Sequence, residues 1–228
     1  MKTAAIIVAG GTGERYSGQG ASSYKQFLLL GGVPIIIHTL RIFEDLPGVD
    51  EIILVVPSEK LLYSKKLIKE YGIKKTSRIT SGGKFRQDSV YNGLKELGRS
   101  VGIVIIHDGV RPLADPGLVL TCINQAKEYG AAILAVPVKD TIKTGRKMFI
   151  EKTADRSKLW SVQTPQCFKY DVIAEAFKKA MKDKYMGTDE SCLVERLGHR
   201  VKIVEGSYEN IKITTPEDLL FAEALIRK

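Results

Sequence analysis

The sequence is poor in the residues that carry most covalent and metal-based catalysis. Only three histidines, His38, His107 and His199, occur in 228 residues, and they are scattered. That spacing offers neither a metal triad nor a nucleophile–base pair, and no Ser-His-Asp arrangement is visible. The three cysteines, Cys122, Cys167 and Cys192, are an odd number with no Cys-x-x-Cys pair. They read as reduced thiols of a cytoplasmic protein rather than as a disulfide framework or zinc site. No apolar run approaches the ~20 residues of a membrane span, and the N-terminal strand lacks a signal-peptide layout, so no membrane partner is expected. The net charge of +9 is densest over residues 65–78 and at Lys178, Lys179, Lys182 and Lys184, with neither interleaved aromatics nor a nucleic-acid motif. Lysines so placed fit solvated helix faces; no nucleic-acid partner is expected, while an anionic small substrate would gain from the field.

What is present begins at residue 4, in AAIIVAGGTGERYSGQGASSYKQF. Ala4–Ala9 is short, apolar and partly β-branched, as a buried strand is. It runs into Gly10, Gly11 and Gly13, with Arg15 two residues on and Lys25 further along. Glycines at a strand exit let backbone N–H groups approach a polyanion, and two cations in the same place suit a triphosphate better than a neutral ligand. Two better-known glycine motifs are missing. The dinucleotide fingerprint fails because Tyr16 stands where its last glycine belongs, and no Gly-Lys-Ser or Gly-Lys-Thr triplet occurs.

Strand-like runs recur at Glu51–Val56, around Ile79–Thr80, at Gly102–Ile106 and at Ala131–Val136. Helical patterns separate them at Pro34–Phe43, Ser58–Tyr71, Phe85–Leu97 and Pro116–Tyr129. This alternation predicts an α/β fold, Rossmann-like, with a mostly parallel sheet covered by helices on both faces, in one domain spanning 1–228. Asp115 before Pro116, and Thr215 with Asp218 around Pro216, carry N-terminal capping signals. The rhythm breaks between about 139 and 169, which does not read as part of the doubly wound sheet. Thr141–Lys143 and Met148–Thr153, split by Thr144-Gly145-Arg146, predict a projecting β-arm at about 139–160. Helices are expected again at Val172–Lys182 and Asp189–Leu197, then strands at Arg200–Glu205 and Asn210–Thr214 and a C-terminal helix. An isolated hairpin is marginally stable and its edges invite pairing, so the arm predicts a homodimer.

Ligands of open α/β sheets sit outside the carboxyl ends of the strands. The polar clusters HDGVRP (Asp108, Arg111), PVKDTIK (Asp140, Thr141, Lys143) and SGGKFRQDSV (Gly83, Ser89) fall at such ends. Asp108 beside a phosphate loop is a candidate ligand for Mg²⁺ or another divalent cation, with helix capping as the alternative. His107 reads as a buried, hydrogen-bonded histidine. Cations, glycines and one or two carboxylates, without a covalent nucleophile, are the equipment of nucleotidyl or phosphoryl transfer.

AGGTGERY, YKQF, GGKFRQDSV, HDGVRP, KDTIK, TADRSKLWSVQTPQCF, the TDE of residues 188–190 and ENIKITTPEDL occur in that order over essentially the whole chain. Together they resemble the 2-C-methyl-D-erythritol 4-phosphate cytidylyltransferases, which perform the CTP-consuming step of non-mevalonate isoprenoid synthesis. The resemblance implies transfer of the cytidylyl group from CTP to that polyol phosphate, with release of pyrophosphate. It implies that Ala9, Gly10, Gly11 and Gly13 hold the triphosphate and that Arg15 and Lys25 stabilise the transition state. Gly83 and Ser89 would contact the cytidine side, and Asp108 would help hold Mg²⁺. Arg111, Thr141, Arg156 and Lys212 would bind the methylerythritol phosphate, Arg156 reaching it from the neighbouring subunit through the arm.

Three departures stand out: Gly10 where the family usually has alanine, Tyr24 where it usually has proline, with extra glycines Gly18 and Gly20 before it, and Lys84 where some members carry an acid. Only the last weakens an implied contact, that with the cytosine amino group. Ribitol 5-phosphate cytidylyltransferase resembles the chain in its Gln-Thr-Pro-Gln and NIKITTP segments and is the alternative. Arg156 with Leu159-Trp160 favours the methylerythritol enzyme.

Overall fold

The computed structural model describes residues 1–11 and 24–227, so Gly13 and Arg15 lie outside the described residues. In chain order the strands are β1 (Lys2–Val8), β2 (Leu29–Leu30), β3 (Val33–Pro34), β4 (Glu51–Val56), β5 (Thr76–Ser81), β6 (Val101–Asp108), β7 (Ala131–Pro137), β8 (Lys143–Arg146), β9 (Phe149–Thr153), β10 (Trp160–Lys169) and β11 (Lys202–Glu205). The α-helices are α1 (Ile35–Glu44), α2 (Leu61–Glu70), α3 (Arg86–Lys95), α4 (Pro116–Tyr129), α5 (Tyr170–Lys182), α6 (Glu190–Glu195) and α7 (Pro216–Ile226).

Seven strands form the main sheet in the order β11-β7-β10-β6-β1-β4-β5. Its strands run parallel except β10, which is antiparallel to both β6 and β7. Alternate residues of β1 feed the two faces, as the pleat requires. Ala5 and Ile7 pack with apolar residues of α1, α2 and α4, whereas Ala4 and Ile6 pack with those of α3, α5 and α6. Ile6 and Ile7 are fully buried, and each such side chain contributes roughly 1.5–3 kcal/mol. A third cluster of Leu30, Ile35, Val110, Ile213 and Ala222 ties α7 to the segment after β6. The caps fall where the sequence puts them. Asp115 accepts the N–H of Leu118 at 2.8 Å, and Thr215 and Asp218 form a capping box.

Three expectations need correction. Residues 160–169 are not outside the sheet: β10 inserts between β6 and β7. Its polar residues Gln163, Thr164 and Gln166 disguise the strand, yet all three are buried and hydrogen-bonded. Gln163 Nε2 donates to Ser207 O (2.8 Å) and Gln166 Nε2 to Asp189 Oδ2 (2.9 Å). Asn210–Thr214 is not a strand; it crosses the third cluster with Ile213 N–H on Val110 O at 2.9 Å. The arm is present as the antiparallel pair β8–β9, but its turn sits at Lys147 and Met148, both at positive φ. Thr144-Gly145-Arg146 belongs to β8 instead, because two consecutive left-handed residues make the turn that strand twist favours. Every residue of β8 and β9 is exposed.

Candidate active site

The chain leaves β1 towards β4 and returns through β6 on the other side, so the switch point lies between the carboxyl ends of β1 and β6. Three loops are stitched together there. Gly109 N–H donates to Val8 O (2.8 Å), Ala9 N–H to Val55 O (2.7 Å) and Gly82 N–H to Val56 O (2.8 Å). The cleft between them holds about 390 Å³, within the range of small-molecule sites. Ala9, Gly10, Gly11, Lys25 and Gln26 line it, as do residues 83–86 with Ser89, and Asp108 with Lys212. Four cations, Lys25, Lys84, Arg86 and Lys212, face one carboxylate among these described residues.

Steric contacts explain Gly83 and Gly10. A Cβ on Gly83 would stand 2.3 Å from Asp88 Cβ, so only glycine lets that loop turn against the first turn of α3. Ser89 Oγ accepts from Gly83 N–H (3.0 Å) and donates to Phe85 O (3.1 Å), so its hydroxyl shapes the loop. A Cβ on Gly10 would meet Gly82 Cα and Ser89 Oγ at 3.3 Å each. Glycine at position 10 lets the two loops meet without displacing either.

Asp108 ends β6, 5% exposed, and gathers three cations. Arg86 Nε lies 3.1 Å from Oδ1, and Lys212 Nζ and Arg111 Nε lie 2.8 Å and 3.5 Å from Oδ2. Burial alone would push this carboxyl up; Arg86, Lys212 and Arg111 outweigh it and hold Asp108 well below the usual carboxylate range. Arg86 is shared: its Nη1 reaches Glu190 Oε1 at 2.7 Å and Oε2 at 2.8 Å. Burial opposes the charge on Arg86, but Glu190 and Asp108 keep its pKa above normal. Burial raises the pKa of Glu190, and Arg86 offsets part of that rise.

His107 lies behind Asp108, wholly buried. Its Nε2 is 3.1 Å from Arg111 O, which only accepts, so Nε2 carries the proton and Nδ1 accepts from the Thr164 hydroxyl at 3.1 Å. Thr164 Oγ1 in turn accepts Asp108 N–H at 3.0 Å. Burial lowers the pKa of His107 to about 4, so it is a neutral brace for residues 108–111.

The donor set tests the expected metal ligand. Magnesium is held by oxygens, commonly one or two carboxylates plus substrate phosphates. Asp108 is the one carboxylate lining the cleft among the described residues, and both its oxygens are engaged by cations that would repel a divalent ion. No group of three or more His, Cys, Asp or Glu that could hold a metal ion occurs among the described residues. As placed, Asp108 does not fit direct ligation of Mg²⁺. It is placed as an organiser of the cations.

The structure thus brings Ala9, Gly10, Gly11, Lys25, Gly83, Ser89, Asp108 and Lys212 to one cleft. Arg111 stands against Asp108, its Nη1 on Asn210 O at 2.7 Å. Thr141 and Arg156 do not line the cleft of their own chain. Arg156 is exposed at the base of the arm, with Nη1 on Lys139 O at 2.6 Å. Sequence reasoning gave no role to Arg86, Glu190 and Gln26. Their signals were present, at the first residue of the helix after Gly-Gly, in the TDE segment and beside Lys25.

Comparison with known proteins bears on this site. The family model for 2-C-methyl-D-erythritol 4-phosphate cytidylyltransferase matches residues 3–228. The chain is similar to the enzyme of that name from Pelotomaculum thermopropionicum, 50% identical over 228 residues, covering 99% of this chain and 94% of that one. It is 49% identical to the Geobacillus kaustophilus enzyme of the same name over 227 residues, covering 99% and 97%. Among solved structures, the 4-diphosphocytidyl-2C-methyl-D-erythritol synthase of Anaerococcus prevotii superposes with a TM-score of 0.87 at 33% identity, covering 100% of this chain and 99% of that one. The Thermus thermophilus cytidylyltransferase gives a TM-score of 0.77 at 30% identity with both chains fully covered.

Proposed function

The chain belongs to the 2-C-methyl-D-erythritol 4-phosphate cytidylyltransferase family, and from that membership we propose how its own residues divide the work of the reaction. The enzyme transfers the cytidylyl group of CTP to 2-C-methyl-D-erythritol 4-phosphate, giving 4-diphosphocytidyl-2-C-methyl-D-erythritol and pyrophosphate. This reading is favoured over ribitol 5-phosphate as acceptor.

In the proposed mechanism a phosphate oxygen of the acceptor attacks the α-phosphorus of CTP, and the bond from that phosphorus to the bridging oxygen of pyrophosphate breaks in line. A phosphate monoester is already an anion near neutral pH, so no general base is needed. The glycine loop cradles the triphosphate through its backbone N–H groups: Ala9 opens it, its own N–H held by Val55 O, and Gly10, Gly11 and Gly13 follow. Arg15 and Lys25 offset the charge that builds on the α-phosphate and the leaving group. Gly83 and Ser89 shape the cytidine side, and Arg111 and Lys212, tethered by Asp108, meet the acceptor phosphate. A divalent ion, Mg²⁺ or another, is the expected companion of CTP. It would add charge neutralisation, and no step here depends on a protein ligand for it.

Residues 1–228 act as one catalytic domain in this reading, and two copies form a homodimer through the arm. Thr141 and Arg156 then serve the partner's site, which is consistent with their distance from the cleft of their own chain. The three described cysteines carry no disulfide, which favours the reducing cytoplasm. No helix among the described residues is long and apolar enough to cross a membrane.

The observation that carries the mechanism is the cleft itself: glycine backbone and four cations line it, two of them, Arg86 and Lys212, paired with a buried, ionised Asp108 at the switch point. Pyrophosphate release tests the assignment. CTP with methylerythritol phosphate should support turnover, and turnover with ribitol 5-phosphate in its place would overturn the acceptor.

A further inference from the structure

Lys25 stands between two anchored neighbours. Lys25–Phe27 form one 3-10 turn, with Phe27 N–H on Tyr24 O (2.9 Å) and Leu28 N–H on Lys25 O (3.1 Å). On the inner side, Gln26 is 2% exposed. Its Nε2 donates to Ala9 O at 2.6 Å and to Gly11 O at 3.2 Å, so both amide hydrogens are committed to the glycine loop. On the outer side, the Tyr24 hydroxyl donates to Glu59 Oε1, and Ser58 Oγ bonds the other oxygen of that carboxylate at 3.0 Å. Lys60 Nζ lies 4.6 Å from the Tyr24 ring centroid. Phe27 packs edge-on against Tyr24 at 6.5 Å and against Tyr63 at 5.1 Å.

We propose that Tyr24 and Gln26 are positioning residues for Lys25: one ties the turn outward to the segment after β4, the other ties it inward to the glycine loop. The inference rests on the reading of Lys25 as a group that acts on the transition state. A lysine ammonium rides on a flexible four-carbon stem, so its aim is set by how firmly the backbone beneath it is held. A displacement of 1 Å at a catalytic group can cost about 10²-fold in rate. The clamp also accounts for the departure at position 24. Where a proline would stiffen the approach to Lys25 through its own ring, this chain uses a tyrosine held by a carboxylate, a cation and an aromatic edge.

Steady-state kinetics on the full chain test the proposal, with Gln26→Met and Tyr24→Phe each made in the wild-type and Lys25→Ala backgrounds. In the wild type, Gln26→Met should lower kcat by about 10- to 100-fold and Tyr24→Phe by about two- to fivefold. The KM for the acceptor should stay within about twofold. In the Lys25→Ala background neither change should lower kcat further, because both act through the missing ammonium. Losses that persist at full size without Lys25 would overturn the proposal and make both residues merely structural. An unchanged kcat in Tyr24→Phe would remove the outer anchor. Should Gln26→Met fail to fold, Tyr24→Phe, at the surface, decides on its own. A Lys25→Ala enzyme with near-normal kcat would instead overturn the underlying reading of Lys25, a distinct result from failure of the clamp.

Discussion

Replacing Asp108 with asparagine removes the one negative charge that Arg86, Arg111 and Lys212 share. Three cations and two carboxylates, Asp108 and Glu190, leave the cluster with one net positive charge; the substitution makes it two. Breaking a buried ion pair by deleting one partner costs about 3–5 kcal/mol. Lys212 keeps 31% of its side chain exposed and can turn to water, so the lower end, about 3 kcal/mol, applies. For a chain of this size that corresponds to a fall in Tm of roughly 6–12 °C. Loosened Arg111 and Lys212 should raise the KM for the acceptor phosphate, while the Mg²⁺ concentration for half-maximal rate stays within about twofold, because Asp108 organises cations. Thermal unfolding and a Mg²⁺ titration of the same variant check both halves. An unchanged Tm with a severalfold higher Mg²⁺ requirement would refute the reasoning and return Asp108 to metal ligation.

Lys25→Ala and Arg15→Ala should each lower kcat by on the order of 10²–10³ with smaller changes in the KM for CTP, measured as pyrophosphate release. Gly83→Ala forces a Cβ to within 2.3 Å of Asp88 Cβ. It should cost about 1–3 kcal/mol by denaturant titration and raise the KM for CTP, whereas wild-type stability would contradict the packing. His107 titrates at about 4 in the fold against an ordinary 6.5. Between those values the unfolded chain binds the extra proton, so stability is full above pH 6.5 and falls as pH drops towards 4, by up to about 3 kcal/mol. Glu190, raised by burial, acts in the opposite sense near the acid end, and Asp108, held low, titrates below this window. His107→Asn should flatten the profile, and an unaltered profile would mean that another group sets it.

The parts of this molecule that were legible in the sequence share a physical cause. Ala4–Ala9 and Gly102–Ile106 are buried on both faces, so they are apolar throughout and announce themselves. Asp115 and Thr215 announce helix starts because a cap must hold an oxygen at a fixed place. The turn at Gly83 was legible because close backbone approach leaves no choice of residue there, as its contact with Asp88 illustrates. β10 was not legible, because Gln163, Thr164 and Gln166 meet partners that only the assembled fold supplies. The partnership of Arg86 with Glu190 spans 104 positions, beyond any local pattern. The role of Asp108 is not legible, because a carboxylate near a phosphate loop looks the same in sequence whether it meets a metal or three cations.

In the proposed dimer each site joins its own chain's cleft cations to Arg156 of a second copy. Mixing Arg156→Ala subunits with Lys25→Ala subunits tests it most directly. If Arg156 works in the partner's site, every mixed dimer has one site with both lesions and one with neither. Equal mixing with free exchange then restores about a quarter of the wild-type pyrophosphate release, from two nearly inactive parents. If Arg156 serves its own chain, every site in every dimer keeps one lesion, and the mixture stays as inactive as its parents.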